Sequence, residues 1–199
     1  MKPFVLLGLL TLTSLAAQAA DGVMQPRVGA ALAIGTFSGD NSPPGVLSSN
    51  VDDKAVGFKI YGQYPVNKWL AVEGAYHDTS NFKSKQSLAD LPPGDPGGQY
   101  ALSLNGWSLQ GLVYIPVPVE DLQAYVKGGY YAFSDEIALN GENIGSSSER
   151  GVVLGGGLLL KLGRNLGVRT DFDWFDAKVG DLSSINFGIE YFFGSAGGK

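Results

Sequence analysis

Side chains alternate by parity along most of the chain, and that alternation limits the fold more than any other feature. From Arg27 onward, Val28, Ala30, Leu32 and Ile34 are apolar, while Arg27, Gly29, Ala31, Ala33 and Gly35 are small or charged. A period of two residues describes a β-strand with two unlike faces. The pattern returns in Ala55–Tyr64, Leu70–His77, Gly106–Ile115, Leu122–Phe133, Gly151–Leu162, Leu166–Phe175 and Ser184–Phe193. Upstream of Gly106, Leu102 and Leu104 fall on the opposite parity, which predicts a bulge or strand start near Asn105.

Eight segments of about ten residues have the length a tilted strand needs to cross a bilayer. Their connections alternate too. Pro65 to Trp69, Pro116 to Asp121 and Gly163 to Asn165 are short; Ser38 to Asp53, Asp78 to Asn105, Ser134 to Arg150 and Asp176 to Ser183 are longer and polar. Short periplasmic turns and long outer loops are the asymmetry of outer-membrane barrels, and an even strand count leaves both termini periplasmic. A soluble barrel of the lipocalin kind is the competing fold. Size decides between them: an eight-stranded lumen has room only for well-packed side chains. The Gly-, Ala- and Ser-rich face with a few charges is therefore expected inside. The Leu, Val, Phe, Trp and Tyr face is expected outside, where water would not tolerate it and hydrocarbon requires it. Aromatics support this by their sorting, with Tyr64, Trp69, Tyr191 and Phe193 near the short turns and Tyr76, Tyr130 and Trp174 toward the loops.

Composition excludes several alternatives. The 199 residues contain no Cys, so disulfides, thiolate nucleophiles and Cys-ligated metals are excluded. Residues 1–19 carry a basic start, an apolar run from Phe4 to Leu15 and Ala17-Gln18-Ala19, the pattern of a cleavable signal peptide. A membrane anchor is the competing reading of that segment; its apolar core is short for a span. Residues 20–199 then form one barrel domain, with strands within 26–193 and a tail at 194–199. Its charge is −6, from 13 Lys and Arg against 19 Asp and Glu.

Three stretches carry a family resemblance: Lys68-Trp69-Leu70-Ala71-Val72-Glu73-Gly74-Ala75-Tyr76, Asn165-Leu166-Gly167-Val168-Arg169, and Asn186-Phe187-Gly188-Ile189-Glu190-Tyr191-Phe192-Phe193. They resemble the small eight-stranded outer-membrane barrels, in particular the transmembrane domain of outer membrane protein A and its stand-alone relatives. The likeness runs from about Pro26 to Phe193. It implies that Asn186, Gly188, Tyr191 and Phe193 fill the positions of a C-terminal assembly signal read by the outer-membrane insertion machinery. It also implies a bilayer rich in lipopolysaccharide as surroundings, and a monomer. Two departures stand out: Gly194 to Lys199 follow the final Phe, and no peptidoglycan-binding domain is present.

By parity Lys59, Glu73, Lys127, Arg169, Asp171 and Glu190 face the lumen. Lys59, Glu73, Lys127, Arg169 and Glu190 each lie about 10–20 Å in from the short turn or strand end, so they are expected to share one layer. Lys59 and Glu73 are expected to be cross-strand neighbours. Arg169 and Glu190 are expected to be opposite if Phe175 pairs with Ser184. Buried charges need partners, so an interior ion-pair network is expected; it either fills the barrel or acts as a gate.

Residues 38–53, 78–99, 134–149 and 176–183 sum to −9, which disfavours nucleic acid as a partner. Asp52-Asp53 lacks the ligand spacing of a calcium loop, and Asp90 to Gly98 reads as a mobile segment. His77 is the only His. It points inward, and no Ser is expected one strand position away on its face, so no catalytic residue, metal or cofactor is assigned. The expected role is structural, in envelope integrity or surface contact. A narrow pore is the first alternative and a lipid A-modifying enzyme the second.

Overall fold

The computed structural model describes residues 25–38, 54–85, 99–139, 142–176 and 181–193. The signal segment, Asp52-Asp53, Asp90 to Gly98 and the tail lie outside them. Eight antiparallel strands form a closed barrel in sequence order: β1 (Arg27–Ser38), β2 (Lys54–Pro65), β3 (Leu70–Lys85), β4 (Gln99–Ile115), β5 (Leu122–Leu139), β6 (Glu142–Lys161), β7 (Leu166–Phe175) and β8 (Asp181–Phe192). Closure comes from β1 pairing with β8, from Arg27↔Phe192 to Ser38↔Asp181.

Burial follows parity. Along β7, Gly167, Arg169, Asp171, Asp173 and Phe175 are buried, while Leu166, Val168 and Phe172 are exposed. Leu32 is 65% exposed, as are Ile189 at 63% and Trp107 at 64%, whereas Lys59, Glu73 and Asp173 are 0% exposed. A barrel with aliphatic side chains outside and ions inside is viable only with hydrocarbon around it. The outer aromatics stack in rows: Phe58 on Tyr76 at 6.2 Å, Tyr76 on Trp107 at 5.0 Å, and Tyr191 on Phe193 at 5.2 Å between ring centres.

The turns have local causes. Asn67 Oδ1 accepts hydrogen bonds from the backbone N–H of Trp69 (2.8 Å) and Leu70 (2.9 Å), closing the β2–β3 turn. The β6–β7 turn places Gly163 at φ 114° and the β4–β5 turn places Asp121 at φ 64°. Gly and, less often, Asp tolerate that left-handed region.

Three expectations are corrected. The irregularity is not at Asn105: β4 pairs with β5 without a break from Tyr100↔Leu139 to Ile115↔Ala124. It lies on β3, between Thr79 and Phe82. Leu104 is apolar on the lumen parity because it packs against an internal cluster. Much of two expected loops is strand. Residues Gln99 to Asn105 extend β4, Thr79 to Lys85 extend β3, and β5 and β6 continue until only residues 140 and 141 separate them. The lumen also holds more than small residues and ions. Tyr131, Phe133, Val153, Phe175 and Leu182 form a cluster at the loop end. Leu112, Tyr125, Leu159 and Phe192 form another toward the short turns.

Candidate functional site: the ionic layer of the lumen

Between the two apolar clusters lies a layer of charge. Its buried members among the described residues are Arg27, Lys59, Lys127 and Arg169 against Glu73, Asp171, Asp173 and Glu190, four cations and four carboxylates with a formal sum of zero. The neutrality matters because an unmatched ion in this position would cost several kcal/mol.

Arg169 is the hub. Its Nη1 lies 2.6 Å from Glu73 Oε2 and 3.1 Å from Glu190 Oε1, and its Nε donates to Asp171 Oδ2 at 2.6 Å. Lys59 Nζ reaches Glu73 at 3.0 Å, Asp173 at 3.2 Å and Asp171 at 3.6 Å. Lys127 Nζ sits 2.8 Å from Asp171 and 2.6 Å from Asp173. Arg27 joins at the edge, with Nη1 3.5 Å from Glu190 Oε2. Asn186 Nδ2 donates to Asp171 Oδ1 at 2.9 Å and to Asp173 Oδ2 at 3.0 Å. A residue read from sequence as part of an assembly signal is thus also a lumen ligand of the carboxylates. Of the other three, Tyr191 is exposed, while Gly188 and Phe193 are half-buried.

The register carries a surprise. Lys59 pairs with His77 and Glu73 with Gln63, so Lys59 and Glu73 are not cross-strand neighbours. Phe175 pairs with Leu182, so Arg169 lies opposite Gly188, not Glu190. The ion pairs still form because long side chains on tilted strands reach diagonally and across the lumen.

Two tyrosines clamp the hub. The Arg169 guanidinium carbon lies 4.4 Å from the Tyr61 ring centre and 4.9 Å from that of Tyr125. Glycines make their room. A Cβ on Gly29 would collide with the Tyr61 ring, and one on Gly157 would stand 2.5 Å from the Tyr125 hydroxyl. Gly29→Val is therefore expected to overpack the lumen and lower stability by about 1–3 kcal/mol. Urea unfolding in lipid vesicles measures it; an unchanged midpoint would show that Tyr61 moves without penalty.

Above the ions, His77 Nε2 shares a hydrogen bond with Ser108 Oγ at 2.9 Å, and Gln110 Nε2 donates to the same oxygen at 3.0 Å. This corrects the expectation that no Ser stands beside His77. Ser108 lies on β4, and its reach is invisible in the parity of β3 alone. The His77 ring lies edge-on to Phe133 at 5.6 Å and to Phe175 at 5.5 Å. Both partners face the lumen, so the pair presents no surface to acyl chains in the surrounding bilayer. Among the described residues, no cluster of three or more His, Asp or Glu is placed to hold a metal ion.

Of the aromatics read as interface anchors, Tyr64, Trp69, Tyr130 and Tyr191 are exposed, and Tyr76, Trp174 and Phe193 are half-buried.

A model of the outer membrane protein β-barrel domain matches residues 5–193. No curated protein matches the chain. Among solved structures, the chain is similar to Neisserial surface protein A (15% identity, TM-score 0.64, covering 84% of this chain and 97% of that one). It is also similar to Ail, the attachment invasion locus protein of Yersinia pestis, solved in complex with the heparin analogue sucrose octasulfate (14% identity, TM-score 0.60, 85% and 99%). OprG of Pseudomonas aeruginosa is a third (11% identity, TM-score 0.56, 88% and 99%). At these identities the likeness is one of fold.

Proposed function

The chain belongs to the outer membrane protein β-barrel family, and from that premise we propose that it is a closed, non-conducting barrel. It supports the envelope and presents acidic connections at the cell surface. Its place is the Gram-negative outer membrane, with both termini on one side. The observation that carries the reading is the filling of the lumen: an ionic layer of zero formal charge lies between two apolar clusters. Hydrated ions would have to displace both clusters and break several buried ion pairs to pass. The protein works as a monomer among lipopolysaccharide, and Asn186 to Phe193 serve as its assembly signal. It carries out no catalysis: His77 and Ser108 are both buried in the lumen, and the His77 ring lies edge-on to Phe133 and Phe175.

A second reading, a gated narrow pore, draws on the redundancy around Arg169, whose Nη1 holds Glu73 and Glu190 at comparable distances. Exchange between them would shift the ions without breaking neutrality. Planar-bilayer recording separates the two. The closed reading expects no unitary current from the native protein or from Glu73→Ala. Discrete openings in the native protein that Glu73→Ala abolishes or fixes open would replace it with the gate.

A further inference from the structure

The short-turn mouth of the barrel contains a pocket of about 230 Å³ that shares only Arg27 with the ionic layer. Arg27, Tyr114 and Gln123 line it from the wall, Lys68 and Trp69 from the β2–β3 turn, and Val117 from the β4–β5 turn. No carboxylate lines it among the described residues. Arg27 is 8% exposed, and its Nε has no hydrogen-bond partner among the described residues; neither has the buried Tyr114 hydroxyl. The remaining Arg27 contacts are long, with Nη1 3.5 Å from both Gln123 Oε1 and Glu190 Oε2. A buried guanidinium with an unsatisfied N–H beside an unsatisfied O–H is costly unless an acceptor arrives.

Its charged lining residues, Arg27 and Lys68, are both cationic, and Glu190 meets Arg27 from the lumen side. The Arg27 guanidinium lies 5.1 Å from the Phe192 ring centre, and Lys161 Nζ lies 5.6 Å from the same ring. Lys68 Nζ stands over the Trp69 ring at 5.3 Å, and Trp69 is 44% exposed. An exposed Trp beside a Lys at the end of a transmembrane strand marks the headgroup level of a bilayer. The pocket is smaller than the usual small-molecule site, so it suits a headgroup and not an acyl chain. Ile115, Val117 and Leu122 provide an apolar side against which a glycerol backbone can rest.

We propose that this pocket binds the phosphate of an inner-leaflet anionic phospholipid, with Arg27, Lys68 and the Tyr114 hydroxyl as donors. Guanidinium and phosphate match in geometry as well as charge. The bound lipid would tie the periplasmic rim of the barrel to one leaflet.

The test uses the full barrel, isotope-labelled in uncharged maltoside micelles. The indole N–H of Trp69, identified by its loss in Trp69→Phe, is followed by NMR while phosphatidylglycerol is added. Parallel titrations use phosphatidylcholine, sn-glycerol 3-phosphate and inorganic phosphate. A saturable shift with phosphatidylglycerol is expected, with affinity at least tenfold above that for either free phosphate. Arg27→Gln is expected to weaken it at least tenfold and the exposed-turn variant Lys68→Gln about threefold. Heat-modifiable gel mobility reports whether each variant is folded. Lys68→Gln keeps the test open should Arg27→Gln fail to fold. Equal affinity for inorganic phosphate and phosphatidylglycerol would overturn the lipid assignment, as would equal affinity for phosphatidylcholine. No saturable shift with any probe, or a shift that the folded variants leave unchanged, would overturn the site itself.

Discussion

Arg169→Met is expected to destabilise the barrel by about 3–5 kcal/mol, the range for removing one partner from a buried ion pair. The loss is large because three carboxylates lose a donor at once: Glu73, Asp171 and Glu190 all lie within 3.1 Å of the guanidinium. Asp171 retains Lys127 and Lys59, and Glu73 retains Lys59, but Glu190 is left with only the 3.5 Å contact to Arg27. Met keeps the apolar stem but ends short of the guanidinium held between Tyr61 and Tyr125, so lost packing adds to the electrostatic loss. Adding Glu73→Gln and Glu190→Gln removes two of the stranded charges and should restore more than half of the deficit. Reversible urea unfolding in phospholipid vesicles, followed by Trp fluorescence, measures all three proteins. A single-variant loss below about 1 kcal/mol would mean that water enters the layer and screens it.

Leu32→Lys is expected to destabilise the native barrel by about 2–4 kcal/mol in a bilayer, the range for Lys at the midplane of an outer-membrane barrel. Leu32 is 65% exposed and lies on β1 five residues beyond Arg27, opposite Phe58 and Phe187. At 3.3 Å per residue along a tilted strand that is near mid-depth, about 16 Å along the chain from the short-turn end. The experiment discriminates because water and lipid give unlike answers. An exposed Leu on a soluble barrel is replaced by Lys with a change within about 0.5 kcal/mol. Val66→Lys, in the exposed β2–β3 turn, should stay within that smaller range. Equal, small effects at both positions would place Leu32 in water and remove the membrane from the account.

The alternation from Arg27 to Phe193 made the fold legible, because a barrel in lipid must keep every strand in phase with its two media. Lys59, Glu73, Lys127, Arg169, Asp171 and Glu190 could be placed on one side of the wall for the same reason. What parity does not carry is the offset between strands. Parity leaves the β7–β8 pairing of Phe175 with Leu182 open, so it does not show that Arg169 and Glu190 meet diagonally and not as opposite residues. The approach of Ser108 to His77 depends on how β4 slides against β3, with Ser108 opposite Ala75, and parity does not carry that offset. Asp173 and Arg27 stood on the right face, but nothing along a single strand says which ions meet across the lumen. Phe133, Leu159, Phe175 and Phe192 are single apolar residues on a polar parity, indistinguishable from irregularities until the barrel closes and they meet as clusters.

Some of the ion pairs join strands that are not neighbours along the chain. Lys59 on β2 reaches Asp173 on β7, Arg169 on β7 reaches Glu73 on β3, and Arg27 on β1 reaches Glu190 on β8 through the final seam. A half-curled sheet keeps the local pairs Lys59–Glu73 and Arg169–Asp171 but lacks these three. The ionic layer is complete only in the closed barrel, so sealing the β1–β8 seam also supplies its last missing partners.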